Sequence, residues 1–216
     1  MSKAQEYIPA LGHDWLTGFY DLTIKITMPE KRFRNRLINE LSLEKGGKVL
    51  EFGFGTGQNL ILAKKICGDI EILGLDIDSK VRAIAERKIE KENLTIPLFL
   101  YDGGVFPFEN NSFDKIYSSL VFHQLDTATK KNCLREIRRV LRPKGLLVIG
   151  DWGKPKSRLM RIPFYAIQLL DGFETTDDSV KGRLPEFMAG SGFIDIEETS
   201  HINTAVGVYC FYKGIK

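Results

Sequence analysis

The most informative segment of this sequence is VLEFGFGTGQN, residues 49–59. An acid, Glu51, lies within a short apolar run, and glycines follow at positions 53, 55 and 57. An apolar run that ends in glycine-rich sequence predicts a buried strand followed by a tight turn. A turn of this kind before a helix presents backbone N–H groups at the helix N-terminus, where carboxylates and phosphates bind. The sequence therefore predicts a ligand-binding loop at this point.

The spacing of the glycines distinguishes between ligands. A dinucleotide-binding loop follows the pattern G-x-G-x-x-G. This loop reads G-x-G-x-G and has Gln58 where the third dinucleotide glycine would fall. Together with Glu51 ahead of the loop, the pattern suits the amino-acid-like end of a ligand better than a pyrophosphate. We expect Gly53 to take the tight turn and Gly55 to let the ligand approach the backbone.

Five short apolar runs have the composition of buried strands: residues 48–52, 70–76, 96–101, 113–119 and 145–151. Near-continuous apolar runs are typical of parallel strands that are covered on both faces. Helical periodicity appears between these runs, most clearly in the second and fourth intervals. Strands that alternate with helices predict an α/β fold with a doubly wound, parallel sheet and helices on both faces.

Two further apolar runs near the C-terminus, residues 193–198 and 206–212, are separated by a short polar segment. This arrangement predicts a hairpin, which would place an antiparallel strand in the sheet. Together with the five parallel candidates, the hairpin makes a seven-stranded sheet that is mostly parallel.

Length and composition predict a single domain, because 216 residues of 43% hydrophobic composition suffice for one sizeable core. We divide the chain into four parts. They are an N-terminal helical cap (1–44), a ligand-binding core (45–153), a helical lid (154–191) and the C-terminal hairpin (192–216).

Charge and cysteine usage exclude several classes of function. The net charge is only +3, far from the strongly basic balance of nucleic-acid-binding proteins, so we expect no nucleic-acid partner. Three widely separated cysteines indicate neither a metal site nor a disulfide framework, and they fit a reducing compartment. No signal-like segment or long apolar run occurs. We expect a cytoplasmic protein with no metal and no transmembrane segment, although peripheral membrane contact stays open.

Two acids that follow predicted strands point to a nucleoside. Asp76 ends the second predicted strand, 21 positions after Gly55, where an acid can bond both hydroxyls of a ribose. Asp102 follows the third predicted strand, where a carboxylate can accept a hydrogen bond from the exocyclic amine of adenine. Simple turn chemistry in Asp-Gly-Gly is an alternative explanation of Asp102, and it stays open.

These motifs, in their order and spacing, resemble those of the class I S-adenosylmethionine-dependent methyltransferases. The segments that carry the resemblance are VLEFGFGTGQN (49–59), GLDID (74–78), YDGGVFPFENNSFDKIYSSLVFHQL (101–125) and LREIRRVLRPKGLLVIGDWG (134–153). Within that family, the sequence is most similar to the group of ubiquinone/menaquinone-biosynthesis methyltransferases. The resemblance implies a Rossmann-like fold, with S-adenosyl-L-methionine as the cofactor.

The resemblance also implies roles for the positions that match the family's motifs. The glycines would hold the methionine part of the cofactor, and Glu51 occupies the usual acid position of the motif. Asp76 would hold the ribose, and Ile77 would pack on the adenine. Asp102 would meet the adenine amine, and two serines would border the sulfonium and the substrate. The full set is Glu51, Gly53, Gly55, Gly57, Asp76, Ile77, Asp102, Gly103, Ser118 and Ser119.

A general base is needed only where the nucleophile must lose a proton. His123 is the first candidate, because the ordinary pKa of histidine lies near neutrality. Asp151, at the end of the fifth predicted strand, is the second. A structural role for His123 and a loop-capping role for Asp151 remain alternatives.

The acceptor is expected to be a small organic molecule, apolar or quinone-like, that is methylated by direct displacement. After the fourth predicted strand the sequence reads SSLVF, without the Asn/Asp-Pro-Pro-aromatic motif of families that methylate amide or nucleobase nitrogens. Tyr20 and Tyr165 are candidate substrate contacts. Three alternatives stay open: a non-catalytic nucleoside-binding or regulatory protein, an RNA or protein methyltransferase, and a nicotinamide oxidoreductase. Gln58 and the predicted hairpin count against the last of these.

Overall fold

The computed structural model of this chain describes residues 30–156 and 158–216. In these ranges seven strands form one sheet. They are β1 (Lys48–Phe52), β2 (Glu71–Asp76), β3 (Leu98–Leu100), β4 (Phe113–Ser119), β5 (Leu141–Trp152), β6 (Ile194–Asn203) and β7 (Val208–Ile215). Their order across the sheet is β3-β2-β1-β4-β5-β7-β6.

Strands β1 to β5 are parallel, and β7 runs antiparallel between β5 and β6. The predicted seven-stranded, mostly parallel sheet with one antiparallel strand from a C-terminal hairpin is therefore confirmed. The chain winds from β1 through β2 to β3 in one direction and then returns to β4 on the other side of β1. In such sheets ligands bind beyond the carboxyl ends of the strands at the point of reversal. Here that point lies between β1 and β4.

Seven α-helices and one 3-10 helix accompany the strands in the described ranges. The α-helices are α1 (Glu30–Glu40), α2 (Gln58–Ile66), α3 (Ser79–Lys91), α4 (Thr127–Val140), α5 (Arg158–Asp171), α6 (Phe173–Lys181) and α7 (Leu184–Gly190). The 3-10 helix is Phe122–Gln124. None of the helices in this part of the chain has the length and apolar content needed to cross a membrane.

Helices cover both faces of the sheet, as predicted. Successive side chains of a strand point to opposite faces. Val49 of β1 accordingly packs in the apolar cluster that contains Leu37 of α1 and Leu60 of α2. Its neighbour Leu50 packs in a second cluster with Ile137 of α4 and Phe187 of α7. The doubly wound architecture thus follows from near-continuous apolar strands that bury both of their faces.

The hairpin is longer than its apolar residues indicate. Strand β6 continues through the mostly polar residues 199–203, and Ser200 and Asn203 pair with Phe211 and Val208 of β7. An edge strand of an antiparallel pair can leave much of its side-chain surface in water, so polar composition does not exclude it. The polar segment predicted as a loop is therefore mostly strand.

Lys130 of α4 is a cation on the buried face of its helix. A lysine is ordinarily exposed to water, yet this one is fully buried. Lys130 lies one turn before Leu134 on the buried face, and its Nζ donates to the Thr175 carbonyl at 2.6 Å and to Asp178 Oδ2 at 3.0 Å. The ion pair joins α4 to α6. The partner that makes this burial tolerable lies 48 positions away, where local periodicity carries no information about it.

Candidate active site

The loop between β1 and α2 turns through three glycines in the left-handed region. Gly53, Gly55 and Gly57 have φ angles of 74°, 49° and 79°. A Cβ on Gly53 would lie 2.2 Å from Val121 Cγ2, and one on Gly57 would lie 3.0 Å from Ala85 Cβ. A Cβ on Gly55 would meet nothing within 4 Å among the described residues. Two of the glycines therefore serve packing inside the protein, whereas Gly55 borders open space where a ligand can approach the backbone.

Asp76, at the end of β2, holds this open glycine. Its Oδ2 accepts a hydrogen bond from the Gly55 N–H at 2.8 Å. Its Oδ1 accepts from the N–H groups of Ile77 and Asp78 at 2.7 and 3.1 Å. Burial raises the pKa of Asp76, and these three backbone donors offset only part of that effect. Because each carboxylate oxygen can accept two hydrogen bonds, Oδ2 retains capacity for a ligand hydroxyl.

Glu51 lies fully buried beneath the loop. Its Oε1 accepts from Asn59 Nδ2 at 2.9 Å, and its Oε2 accepts from the Tyr117 hydroxyl at 3.1 Å. Arg34 of α1 donates in turn to Asn59 Oδ1 at 2.6 Å. Burial raises the pKa of Glu51 to about 8, against the lowering effect of these donors and of the Arg34 charge. Glu51 thus connects β1 to α2 and β4, and its contacts are with the protein.

The ends of β2 and β3 bring Ile77 and Gly103 together. A Cβ on Gly103 would lie 3.5 Å from Ile77 Cδ1, so the two residues border the same surface. Asp102 is exposed, and its Oδ1 accepts from the Gly104 N–H at 3.0 Å. This bond is the turn chemistry that the sequence also allowed. A contact of Asp102 with adenine stays a prediction.

Two candidate catalytic residues form a buried pair where β4 and β5 end. His123 Nδ1 lies 2.7 Å from Asp151 Oδ1, and both side chains are buried. Asp151 Oδ2 also accepts from the backbone N–H groups of Val121 and His123, at 3.2 and 3.3 Å. The carboxylate therefore fixes both the 3-10 turn and the imidazole that the turn carries. A carboxylate at Nδ1 favours the tautomer with its proton there, which leaves Nε2 as the basic nitrogen.

The two serines of β4 make hydrogen bonds within the protein. Ser118 Oγ donates to the Phe52 carbonyl at 2.8 Å, across the β1–β4 switch point. Ser119 Oγ lies 2.9 Å from the Tyr209 hydroxyl of β7. Both hydroxyls thus hold the carboxyl-terminal edge of the sheet together, close to the glycine loop and to the histidine turn.

Of the two candidate substrate contacts, Tyr20 and Tyr165, the structure describes only Tyr165. Tyr20 lies outside the described residues. Tyr165 is on α5 and exposed, with the Arg161 guanidinium 4.2 Å from its ring centroid. The adjacent Phe164 is buried instead, and its ring meets that of Trp152 edge-on at 5.9 Å. Phe164 therefore packs toward Trp152 at the end of β5, and a substrate contact by Tyr165 stays a prediction.

Comparison with known proteins identifies the family. A model described as "Methyltransferase domain" matches residues 49–145. The ubiquinone/menaquinone biosynthesis C-methyltransferase UbiE of Neisseria meningitidis is 27% identical over 197 residues, covering 83% of this chain and 78% of that protein. The demethylmenaquinone methyltransferase of Thermotoga maritima is 33% identical over 159 residues, covering 72% and 66% of the two chains. This chain is a class I S-adenosylmethionine-dependent methyltransferase.

Solved structures agree with the fold of the methyltransferase. An S-adenosylmethionine-dependent methyltransferase from Aquifex aeolicus superposes with a TM-score of 0.65 at 20% identity, covering 85% of this chain and 89% of that chain. Phosphoethanolamine N-methyltransferase 2 of Haemonchus contortus, solved with S-adenosyl-L-methionine, has a TM-score of 0.65 at 18% identity. The superposition covers 86% of this chain and 52% of that chain.

The residues of the methyltransferase fit its cofactor, S-adenosyl-L-methionine. The backbone at Gly55 is open to an approaching ligand, and Asp76 beside it has hydrogen-bonding capacity for a hydroxyl. Ile77 and Gly103 border a common surface at the ends of the next two strands. An apolar side chain and a glycine there suit a flat ring system.

Sequence reasoning missed the residues that support the loop of the methyltransferase. Asn59 and Tyr117 hold Glu51, and Arg34 holds Asn59. The position of Asn59 directly before the apolar run 60–63 of α2 is a local signal for it. Arg34 lies 25 positions before Asn59, and its role becomes visible only when α1 packs beside α2.

Proposed function

We propose that this methyltransferase acts on a small organic acceptor, apolar or quinone-like, by direct methyl displacement. One observation carries the proposal: His123 and Asp151 form a buried pair 2.7 Å apart beside the switch point of the sheet. The rings next to this pair are apolar, with Trp152 centred 6.4 Å from His123 and Phe164 packed on Trp152. The names of the relatives, which refer to ubiquinone and menaquinone biosynthesis, point to the same class of acceptor.

In this proposal the cofactor lies along the ends of β1, β2 and β3. The glycine loop takes its methionine part, with the open backbone at Gly55 facing the ligand, and Asp76 takes the ribose hydroxyls. The adenine is surrounded by Ile77, Asp102 and Gly103. Ser118 and Ser119 border the sulfonium at the carboxyl-terminal edge of the sheet, which their hydrogen bonds hold together. Glu51 acts as a positioning residue, because its bonds to Asn59 and Tyr117 support the loop from below.

When bound, S-adenosyl-L-methionine supplies a methyl group on a positively charged sulfur, which a nucleophile can displace directly. The protein then has to orient the acceptor and exclude water. Asp151 holds the His123 ring through Nδ1, so that Nε2 can take a proton from a hydroxyl of the acceptor. Loss of that proton places negative charge on the acceptor and makes it a stronger nucleophile.

Methyl transfer to quinol analogues with short tails tests the proposal. We would compare the wild type with His123→Gln and with the matched control His201→Gln, an exposed histidine on β6. We expect His123→Gln to lower the turnover rate by about 10²- to 10⁴-fold, with cofactor affinity retained in all three proteins. Mass spectrometry of the product gives the rate, and calorimetry gives the affinity.

Other outcomes of this experiment would favour other functions. Tight cofactor binding without turnover on any small acceptor would favour a non-catalytic nucleoside-binding or regulatory protein. Turnover on RNA or protein substrates, with salt-dependent binding to polyanions, would favour a macromolecular methyltransferase. Until then, the single-domain division of the chain, the lack of a nucleic-acid partner and the cytoplasmic location stay predictions.

A further inference from the structure

The outer face of helix α5 exposes a stripe of large apolar side chains. Ile162, Tyr165 and Leu169 are 63%, 46% and 75% exposed, and Phe173 at the start of α6 is 52% exposed. The first three are spaced three and four residues apart, which places them on one side of a helix. The ring centroids of Tyr165 and Phe173 lie 6.5 Å apart, so the stripe continues across the turn between the two helices. We call these four residues the lid stripe.

The core of the protein does not account for the lid stripe. The opposite side of α5 already supplies the core contacts, since Phe164 and Gln168 are both buried. Phe164 packs on Trp152, and Gln168 donates to Thr176 Oγ1 at 3.0 Å. An exposed apolar patch that the core does not use is typical of an interaction surface.

Basic residues flank the lid stripe. Lys154, Lys156, Arg158 and Arg161 occur within eight positions, and the next acid along the chain is Asp171. Among the described side chains, Lys154 is exposed, Lys156 lies 2.7 Å from Glu198, and the Arg161 guanidinium lies over the Tyr165 ring. Beyond the stripe, on α6, Glu174 is exposed and Asp177 is paired with Lys181 at 2.6 Å. The positive charge is therefore concentrated at the N-terminal end of α5.

We propose that the lid stripe and its basic flank dock on the anionic surface of a lipid bilayer. A helix with aromatic and aliphatic side chains on one face and cations beside them lies in the plane of a membrane interface. The cations are attracted to anionic headgroups, and the apolar side chains enter the boundary between headgroups and acyl chains. The combination of apolar and positive surface is what distinguishes this partner from an ordinary protein contact.

Membrane docking has a consequence for the supply of an apolar acceptor. The other side of α5 carries Phe164, which packs on Trp152 next to His123. Among the described residues, helix α5 therefore contacts the candidate active site on one side and carries the lid stripe on the other. An apolar acceptor could reach that site without crossing bulk water. This consequence rests on the proposed function, whereas docking itself rests on the surface of α5 and α6.

Vesicle co-sedimentation of the full chain, without cofactor or acceptor, tests the docking. We would compare phosphatidylcholine vesicles with vesicles that also contain about 30% phosphatidylglycerol, at low and high salt. The wild type is expected to bind the anionic vesicles, and less so at high salt. The double variant Leu169→Ser/Phe173→Ser should bind at least about tenfold more weakly. A matched control, Ile66→Ser/Val105→Ser, removes two exposed apolar side chains elsewhere and should bind like the wild type.

A second pair of variants tests the charge. Lys154→Gln/Lys156→Gln should weaken binding and flatten its salt dependence. The control Arg87→Gln/Lys91→Gln removes two exposed cations from α3 and should leave binding unchanged. Circular dichroism and cofactor affinity verify that each variant is folded.

Three results would overturn the docking proposal. The first is a wild type that binds neither kind of vesicle. The second is vesicle binding that is weakened as much in the control variants as in Leu169→Ser/Phe173→Ser and Lys154→Gln/Lys156→Gln. The third is a concentration-dependent dimer, seen by sedimentation velocity, that Leu169→Ser/Phe173→Ser dissociates while vesicles bind nothing. Because no methyl transfer is measured, failure of the proposed function would leave these results unchanged.

Discussion

The carboxylate of Asp76 accepts a hydrogen bond from the backbone N–H of Gly55 at 2.8 Å, across 21 positions of sequence. The acid at the end of β2 and the glycine loop after β1 are therefore one unit. Asp76 fixes the segment of backbone that borders open space, and it does so from a buried position. A change at either residue should alter the binding of the cofactor.

Substitution of Asp76 by Ala is expected to weaken S-adenosyl-L-methionine binding by about 10- to 100-fold. The variant loses the acceptor for three backbone N–H groups and for the ribose, and an unmet buried donor costs about 1–3 kcal/mol. Isothermal titration calorimetry measures the affinity. Asp69→Ala, an exposed acid that precedes β2, is the matched control and should bind normally. Normal binding by Asp76→Ala would remove this acid from the cofactor site.

Alanine at Gly55 should mainly weaken cofactor binding, whereas alanine at Gly53 should mainly destabilise the fold. Neither φ angle suits alanine, which costs about 1 kcal/mol at each position. At Gly55 the methyl group meets only open space, so we expect a small loss of stability and a large loss of cofactor affinity. At Gly53 it would overlap Val121, and we expect a stability loss of at least about 2 kcal/mol.

Thermal unfolding and calorimetry on the two variants separate these effects. Truncation of the clashing side chain, in the double variant Gly53→Ala/Val121→Ala, should recover part of the stability that Gly53→Ala loses. If Gly55→Ala binds the cofactor as tightly as the wild type, then the open side of the loop is not where the ligand lies.

The buried Glu51 should make the stability of the protein depend on pH. Its pKa is raised to about 8 in the folded state, against about 4.3 in an unfolded chain. The folded state therefore holds the proton more tightly. The stability contributed by this group is complete below the unfolded pKa and is lost as the pH rises toward 8, by at most about 1.4 kcal/mol per pH unit.

Glu51→Gln tests this dependence, because glutamine can accept from Asn59 and donate to Tyr117 without ionising. Urea denaturation between pH 5 and 8 measures the free energy of unfolding of both proteins. The value for the variant should increase relative to that of the wild type as the pH rises. Glu90→Gln, an exposed glutamate on α3, serves as the control. If the stability difference between Glu51→Gln and the wild type stays constant over this range, then Glu51 does not cause the pH dependence of stability.

Lys130→Met should destabilise the protein by about 3–5 kcal/mol, because it leaves the Asp178 carboxylate buried beside fewer positive groups. Asp178 would keep Thr127 Oγ1 at 2.7 Å and Arg183 Nη1 at 3.2 Å. Chemical denaturation gives the difference in free energy. Lys131→Met changes the adjacent, exposed lysine and should cost far less. Equal effects at the two positions would contradict the importance of the buried pair.

Much of the fold could be predicted from short-range patterns. The predicted strands at 48–52 and 113–119 match β1 and β4 residue for residue. The predicted strand boundaries are less accurate where the composition of a segment differs from what is typical of a buried strand. Strand β6 extends through polar residues because it lies at an edge, and β3 has only three residues where six were predicted. Strand ends depend on pairing with neighbours, and a local pattern does not record those neighbours.

The candidate site divides in the same way. The glycine loop and Asp76 are readable from the sequence, since a left-handed turn and a strand-end acid are local requirements. His123 and Asp151 were both named from the sequence, but their contact across 28 positions was not. The support of Glu51 by Tyr117, 66 positions away, was not foreseen either.

Local sequence patterns are sufficient to predict the order of strands and helices, the loop that a ligand can approach, and the family. Those properties follow from the 2- and 3.6-residue periodicities of side chains and from the backbone freedom of glycine, which act over a few residues. The burial of Lys130 and the exposure of Ile162 and Leu169 depend instead on tertiary packing. All three lie on amphipathic helices, and the side chains that a helix buries depend on which distant segments pack against it.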